Sequence, residues 1–254
     1  MASGPPPAAA PQPQPPPAPP EARSLFGPAI GLAERYAALL AGPGVTRGLI
    51  GPRETARLWD RHLLNCAAVA EMIPHRSSVI DLGSGAGLPG IVLAILLPEA
   101  EIVLLEPMAR RASFLDDCVR QLGLGNARVC RQRAEEAAGW LAGDVVTARA
   151  VAPLERLAVL AVGLTRPGGL VLALKGASAE QEVARARPVL DRLGARDVAV
   201  VHAGSGKVSP PPTIVRFTAA AATVSGAGRR PGGARRRQRG TRPREEKDLD
   251  DGRR

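Results

Sequence analysis

The stretch VIDLGSGAGLPG, residues 79–90, places four glycines within eight positions directly after a short apolar run. Such a loop lets the backbone approach a ligand closely, because glycine has no Cβ and tolerates left-handed conformations. The spacing is D-x-G-x-G-x-G, comprising Asp81, Gly83, Gly85 and Gly87. Because no Gly-Lys-Ser/Thr follows the glycines, a phosphate-binding P-loop is excluded. The stretch therefore predicts a strand, a loop that binds a small cofactor, and a helix that begins near Pro89.

Outward from this loop, short β-type runs alternate with helical patterns. The predicted strands are 78–82, 101–105, 127–131, 145–148, 170–174, 197–202 and 213–219. The predicted helices between them are 91–97, 109–122, 134–141, 154–164 and 179–193. Such alternation is typical of a doubly wound, Rossmann-like α/β sheet. Since no helical pattern separates the last two strands, we expect a mostly parallel sheet with a C-terminal antiparallel hairpin.

Two further helices, 29–40 and 54–73, are predicted ahead of the glycine loop and form an N-terminal helical extension. On the second, apolar residues recur at helical spacing, whereas Arg53, Arg57 and Arg61 share an outer face. We therefore divide the chain into four regions. These are a disordered Pro-rich head (1–24), N-terminal helices (25–75), the α/β domain (76–221) and a disordered Arg-rich tail (222–254).

The positive charge is concentrated in the tail. The chain has a net charge of +10, and residues 226–254 hold eleven basic and five acidic side chains, which is +6 of that total. Runs of arginine bind phosphate backbones without sequence preference. A non-specific RNA-binding arm and an inert solubilising extension are both consistent with this composition.

Other classes of protein are disfavoured by what the sequence lacks. No apolar run approaches the roughly 18 residues that a transmembrane helix needs. Three cysteines (Cys66, Cys118 and Cys130) and three histidines are scattered, which supports neither a metal site nor a disulfide framework. We expect a monomeric, cytoplasmic protein with no bound metal and no membrane partner.

Acidic residues near the glycine loop separate two classes of cofactor. A pyrophosphate would be repelled by Asp81, whereas the ammonium and sulfonium of S-adenosylmethionine favour a carboxylate there. Glu106 ends the second strand, where a carboxylate accepts the ribose hydroxyls of either cofactor. Ala134 and Glu135 follow the third strand and are placed to contact an adenine. These features favour S-adenosylmethionine, and a dinucleotide-dependent oxidoreductase stays open as an alternative.

S-adenosylmethionine is a methyl donor, so the sequence should also indicate which group accepts the methyl. The residues that would face this acceptor lie at the ends of the fourth and fifth strands, where the sequence has Arg149 and Lys175. Neither an Asn/Asp-Pro-Pro-Tyr turn nor a cysteine nucleophile is present there. An acceptor with a free lone pair, such as guanine N7, needs alignment and no base. Arginine suits the Hoogsteen edge of guanine or a phosphate. Arg149 and Lys175 are thus candidate catalytic residues, and the alternative is a pair of strand-end charges in solvent or ion pairs.

The segments DRHLLNC, DLGSGAGLPG, ARAVAPL and LALKG, in this order and spacing, resemble the GidB (RsmG) family of bacterial 16S ribosomal RNA guanine-N7 methyltransferases. The resemblance runs from about residue 36 to residue 217 and implies a class I methyltransferase fold. It implies cofactor contacts by Gly83, Leu88, Ala134, Glu135 and Arg149. It also implies RNA contacts by Arg61, His62 and Lys175. The chain departs from many members at Asn65, where they carry Asp.

These observations together predict an enzyme that transfers a methyl group from S-adenosylmethionine to guanosine N7 in 16S ribosomal RNA of the small ribosomal subunit. With only three lysines against 31 arginines, the composition fits an actinobacterial-like member of the family. A non-catalytic RNA-binding protein on a decayed methyltransferase scaffold is the second alternative. The intact glycines and Glu106 count against decay.

Overall fold

The structure is a computed structural model and describes residues 14–220. Seven strands form one sheet: β1 (Ser78–Leu82), β2 (Glu101–Leu105), β3 (Ala127–Cys130), β4 (Gly143–Arg149), β5 (Thr165–Lys175), β6 (Arg196–His202) and β7 (Thr213–Thr218). The strand order is β3-β2-β1-β4-β5-β7-β6. The first five strands are parallel, whereas β7 is antiparallel to both β5 and β6. The predicted doubly wound sheet with a C-terminal antiparallel hairpin is therefore confirmed.

Helices cover both faces of this sheet, because its strands are nearly continuous apolar runs that must be buried on two sides. The helices are α1 (Pro20–Phe26), α2 (Ile30–Leu39), α3 (Leu64–Ala68), α4 (Gly90–Leu96), α5 (Ala109–Leu122), α6 (Ala134–Ala137), α7 (Leu154–Gly163) and α8 (Ala179–Arg192). Two apolar cores result, one on each face of the sheet. None of the helices among residues 14–220 is long and apolar enough to cross a membrane.

The N-terminal helices share a core with the sheet. Tyr36 and Trp59 are both fully buried in the same cluster as Ile91 and Leu104. The predicted helix 54–73 is wrong in detail, since the segment is a 3-10 turn (Pro52–Arg57), a π-helical turn (Leu58–Leu63), α3, and a second 3-10 turn (Val69–Met72). Most of its predicted inward residues are nevertheless buried, namely Trp59, Leu63, Cys66, Val69 and Ile73, whereas Ala70 is only partly buried.

The ends of the chain depart from the predicted regions in one respect. Helix α1 and the preceding Pro16 pack against the helical segment, where the Trp59 Nε1–H donates to the Pro16 carbonyl at 2.9 Å. The prediction of disorder over 1–24 is therefore wrong for residues 14–24. Residues 1–13 and the whole of the predicted Arg-rich tail, 222–254, lie outside the described range.

Candidate functional site

The candidate site lies where the strand order reverses, at the carboxyl ends of β1 and β4. These strands are parallel neighbours, and Leu82 pairs with Ala148 at their last shared register position. The glycine loop (residues 83–89) leaves β1, and a second loop (residues 150–153, here called the strap) follows Arg149 at the end of β4. Both loops therefore meet at the switch point, which is where ligands bind in open α/β sheets.

The glycines of the loop serve different purposes. Gly83, Gly85 and Gly87 all have positive φ angles, of 69°, 58° and 94°. A Cβ on Gly85 would meet nothing nearer than a backbone oxygen at 3.8 Å, so this position faces open space. A Cβ on Gly87 would instead lie 2.5 Å from Ile91 Cγ1 and 2.8 Å from the Tyr36 hydroxyl. Gly85 thus leaves room for a ligand, whereas Gly87 allows close packing underneath.

Two buried polar side chains hold the glycine loop from below. The Tyr36 hydroxyl, from α2, donates to the Ala86 carbonyl at 2.7 Å. Asp81 Oδ2 accepts the Gly90 backbone N–H at 3.0 Å, and its side chain is only 1% exposed. Burial raises the pKa of Asp81 to about 6, although hydrogen bonds oppose the rise. Asp81 therefore supports the loop from inside, and the predicted attraction between its charge and the cofactor stays a prediction.

Glu106 links the end of β2 to the same loop. Its Oε2 accepts the Gly85 N–H at 3.0 Å, and its Oε1 accepts the Met108 N–H at 3.0 Å. The side chain is 2% exposed. Each carboxylate oxygen has two acceptor positions, so one on each oxygen is left for a ligand hydroxyl. Glu106 thus both shapes the loop and keeps acceptor capacity beside it.

A pocket of about 260 Å³, the glycine-loop pocket, opens beside these residues. Gly83, Glu106, Ala134 and Glu135 line it, as the sequence predicts for a cofactor site. Val151 of the strap lies over Gly83, since a Cβ on that glycine would be 2.9 Å from Val151 Cγ2. Val151 therefore forms part of the wall of the pocket beside Gly83.

Five residues predicted to bind the cofactor do not line this pocket, namely Asp81, Gly85, Gly87, Leu88 and Arg149. Leu88 is 9% exposed and belongs to the apolar core. Arg149 points away from the glycine-loop pocket and lines a neighbouring cleft. The resemblance-based contacts of Leu88 and Arg149 thus have no counterpart in the pocket as it stands.

The neighbouring cleft, here called the basic cleft, measures about 660 Å³. Its walls include Arg61, Arg149, Lys175 and Arg185, together with the strap. The strap therefore forms part of both cavities. The predicted Arg61, Arg149 and Lys175 are brought together here, although they come from three different parts of the chain.

The guanidinium of Arg149 is held by the N-terminal helical segment. Its Nη2 lies 2.7 Å from His62 Nδ1 and donates to the Arg61 carbonyl at 3.1 Å. His62 Nε2 lies 3.0 Å from Glu54 Oε2. Burial, and then the charge of Arg149, lower the pKa of His62. A neutral imidazole that donates from Nε2 to Glu54 and accepts at Nδ1 from Arg149 satisfies all three partners. His62 thus orients Arg149 from behind the cleft wall.

The ammonium of Lys175 is also engaged. It donates to the Ala152 carbonyl at 2.9 Å and to Glu182 Oε2 at 2.8 Å, and the side chain is 10% exposed. Lys175 is therefore not free in solvent but in an ion pair, which the alternative interpretation of the strand-end charges also allows. Sequence reasoning missed Glu182, whose only local signal is an acidic residue in the first turn of the next helix.

No reactive thiol lies in the basic cleft as far as residues 14–220 show. Cys66 is buried behind Arg149, whose Nη1 lies 3.5 Å from its sulfur, and burial raises the pKa of this thiol to about 11. A thiol with so high a pKa is a poor nucleophile at neutral pH. Cys118 and Cys130 are likewise buried.

The chain is similar to known proteins of one family. The GidB family model, described as rRNA small subunit methyltransferase G, matches residues 30–209. A protein named ribosomal RNA small subunit methyltransferase G from Thermobifida fusca is 53% identical over 225 residues, covering 86% of this chain and 95% of the relative. A protein of the same name from Streptomyces coelicolor is 52% identical over 216 residues, covering 85% and 87%.

A solved structure shares the fold. NSun6 from Pyrococcus horikoshii, determined with the ligand SFG, superposes with a TM-score of 0.51 at 14% identity. The match covers 61% of this chain and 52% of that chain. At this identity the likeness concerns the arrangement of strands and helices alone.

Proposed function

The chain belongs to the GidB family of small-subunit ribosomal RNA methyltransferases, and from this membership we propose that it transfers a methyl group from S-adenosylmethionine to N7 of a guanosine in 16S ribosomal RNA. One observation gives the main support for guanosine N7 as the acceptor. Arg61, Arg149 and Lys175 converge on a cleft that shares the strap with the glycine-loop pocket, and no reactive thiol among the described residues joins them.

The glycine-loop pocket fits the cofactor by its donors and its shape. Gly85 leaves open space where a side chain would project, and Glu106 retains acceptors for ribose hydroxyls. Ala134 and Glu135 line the same pocket at the start of α6, beyond β3. When bound, S-adenosylmethionine supplies a methyl group on a positively charged sulfur. The pocket lies below the 300–1,000 Å³ that is usual for ligand sites, so we propose that Val151 withdraws from Gly83 when the cofactor enters.

The residues of the basic cleft suit an acceptor that needs alignment rather than activation. Guanine N7 carries a lone pair at neutral pH, so no side chain has to remove a proton before transfer. The guanidinium of Arg149 and the ammonium of Lys175 match the O6/N7 edge of guanine or the phosphates that flank it. His62 and Glu54 would keep Arg149 in place while RNA occupies the cleft.

The proposal is tested by finding the methylated atom. Small ribosomal subunits and naked 16S ribosomal RNA from a strain that lacks the modification are incubated with the protein and S-adenosylmethionine. A methyl group on N7 gives a cationic purine, so borohydride followed by aniline should cut the RNA at one site. The rate should show no essential group titrating between about pH 6 and 9, because no general base is needed.

Transfer to another atom, shown by mass spectrometry on RNA that resists aniline, would refute the N7 assignment. Binding of the cofactor and RNA without any transfer would favour the non-catalytic alternative. Tight binding of NAD in place of S-adenosylmethionine would favour the oxidoreductase.

We further propose that the protein works in the cytoplasm as a monomer, and that the Arg-rich tail adds non-specific affinity for RNA. Truncation after Ala221 should leave cofactor binding intact and reduce the salt dependence of RNA binding, because released counterions scale with phosphate contacts. An unchanged salt slope would show that the tail does not touch RNA. Sedimentation at working concentration tests the oligomeric state.

A further inference from the structure

Glu182, in the first turn of α8, binds three groups from the edge of the basic cleft. Its Oε2 accepts from the Lys175 ammonium at 2.8 Å and from the Leu154 backbone N–H at 3.2 Å. Its Oε1 accepts from the Ser178 hydroxyl at 3.3 Å. The side chain is only 14% exposed, so these contacts are shielded from water. One carboxylate therefore ties together the end of β5, the start of α7 and the start of α8.

The strap is fixed at both of its ends by these contacts. Arg149, immediately before it, is held by His62, and Leu154, immediately after it, is held by Glu182. Between them, the Ala152 carbonyl accepts from the Lys175 ammonium at 2.9 Å. Ala150 has a φ of +55°, which is an uncommon conformation for a residue other than glycine. Such a conformation persists only where the surroundings impose it.

The same strap lines both cavities. Ala150 and Val151 contribute to the glycine-loop pocket and to the basic cleft. Val151 covers Gly83 in the first, and Lys175 binds Ala152 at the edge of the second. A group that fixes Lys175 and the strap together therefore shapes the cofactor side and the RNA side at once.

Building on the function proposed above, we propose that Glu182 is a positioning residue that clamps Lys175 and the strap in one arrangement, restraining the cofactor pocket while presenting Lys175 to RNA. The charge of Glu182 is required, because an ammonium this deeply buried needs a carboxylate partner. Burial alone would raise the pKa of Glu182, yet Lys175 and the backbone and hydroxyl donors hold it below its usual value. The carboxylate is thus ionised at neutral pH.

Loss of the clamp should affect the two cavities in opposite directions. A freed strap uncovers Gly83, so the cofactor should bind more tightly. A freed Lys175 samples several rotamers, so RNA should bind less well. If the role of Glu182 were purely structural, its loss would instead lower the affinity for the cofactor, the affinity for RNA and the stability of the fold together.

The test uses Glu182→Gln in the full chain, with Glu180→Gln as the matched control. Glu180 is an exposed acid in the same helical turn, so the control removes the same charge without touching the clamp. Calorimetry measures the dissociation constant for S-adenosylmethionine, and methyl transfer gives KM and kcat for the small subunit. For Glu182→Gln we expect about a threefold lower cofactor constant and about a tenfold higher RNA KM. The control should match the wild type.

A third readout needs neither cofactor nor RNA. The chain has three lysines, so a short pulse of acetic anhydride followed by peptide mass spectrometry reports each separately. Lys207, whose side chain is 59% exposed, serves as the internal standard for the protected Lys175. In Glu182→Gln, acetic anhydride should acylate Lys175 several times faster than in the wild type, and the rate of acylation of Lys207 should be unchanged.

The outcomes separate this proposal from the function on which it rests. Unaltered Lys175 labelling, or a parallel loss of cofactor and RNA affinity with a lower Tm, would overturn the clamp. An altered RNA KM with an unaltered cofactor constant would overturn the link between the cavities. If the wild type transfers no methyl group, the proposed function fails while the labelling still decides the clamp. If Glu182→Gln does not fold, Glu182→Asp keeps the charge but shortens the reach to Lys175 and Leu154, so it should also lower the cofactor constant; an unchanged constant would overturn the proposal.

Discussion

The two sides of the switch point are built in different ways. On the glycine-loop side, shape comes from backbone conformation, with Gly83, Gly85 and Gly87 at positive φ and two buried acids bonded to backbone N–H groups. On the basic-cleft side, shape comes from long charged side chains that hold one another. Arg149 depends on His62, which lies 87 residues earlier in the chain. The backbone geometry of the loop is determined by a short stretch of sequence. The side-chain network joins residues that are distant in sequence and meet only after the chain has folded.

This difference also predicts how each side tolerates change. A crowded loop has no free volume for an added side-chain atom, because protein interiors are packed as densely as organic crystals. A network of ion pairs loses one contact at a time and can rearrange. Substitutions at the crowded positions of the glycine loop should therefore damage folding, and those on the cleft side should damage function.

The largest expected effect is that of Gly87→Ala. The added Cβ would overlap Ile91 and Tyr36 at a position whose φ is +94°, so we expect a loss of about 4 kcal/mol in the free energy of unfolding. Gly85→Ala is the matched partner, because it has a similar strain and open space around it. It should cost only about 1 kcal/mol while raising the cofactor dissociation constant about tenfold.

Chemical denaturation measures the first quantity for both variants, and calorimetry measures the second for Gly85→Ala. Equal losses of stability in the two variants would show that φ strain alone matters and that packing under the loop does not.

The second effect is a pH dependence that arises from Asp81. Its pKa is raised from 3.8 to about 6 on folding, so the folded chain holds this proton more firmly than the unfolded chain. The resulting stability is fully present below pH 3.8 and is lost as the pH rises through about 6; it amounts to about 3 kcal/mol. Asp81→Asn should remove this slope between pH 4 and 7.

Unfolding curves at several pH values test this expectation, with the exposed Asp116→Asn as the control. If Asp81→Asn and the wild type keep the same slope, then Asp81 titrates normally and the loop is not supported by a desolvated carboxylate.

On the cleft side, Lys175→Ala should lower turnover on the small subunit about tenfold without weakening S-adenosylmethionine binding. Lys175→Arg should recover only part of the loss, because a planar guanidinium does not fit between Ala152 and Glu182 as a compact ammonium does. Lys207→Ala removes an exposed lysine and should leave turnover unchanged. Normal turnover by Lys175→Ala would exclude it from the RNA site.

The smallest effect joins the two sides. Val151→Ala shortens the side chain that lies over Gly83, so the cofactor should bind about threefold more tightly by calorimetry. Val159→Ala, an exposed valine on α7, is the control for loss of apolar surface. An unchanged affinity in Val151→Ala would show that the strap does not restrict the pocket.

Local signals predicted the sheet well. The bounds of β1, β2 and α5 agree residue for residue with the sequence prediction, because each is a short run bounded by turn residues. Gly83, Glu106, Ala134 and Glu135 were also placed in one pocket correctly, since the carboxyl ends of neighbouring parallel strands must meet.

Prediction failed where a residue's partner is distant or hidden. The sequence places Asp81 beside the glycine loop, and only packing shows that its carboxylate is buried and accepts the Gly90 N–H. The sequence left open whether Lys175 and Arg149 are solvated or paired, because no local signal identifies Glu182 or His62 as their partners. The helix over 54–73 failed for another reason, since apolar spacing does not distinguish α-helical from 3-10 and π-helical turns.

The position of β7 sets the order in which the sheet can be completed. This last strand lies between β5 and β6 and pairs with both, so β6 cannot join the sheet until residues 213–218 arrive. A growing or cleaved chain that stops before residue 213 would leave the β5 edge open along its apolar strand. Open edges of this kind recruit other chains and begin aggregation. Proteolytic loss of this short segment should therefore remove the protein by precipitation rather than leave a partly active fragment.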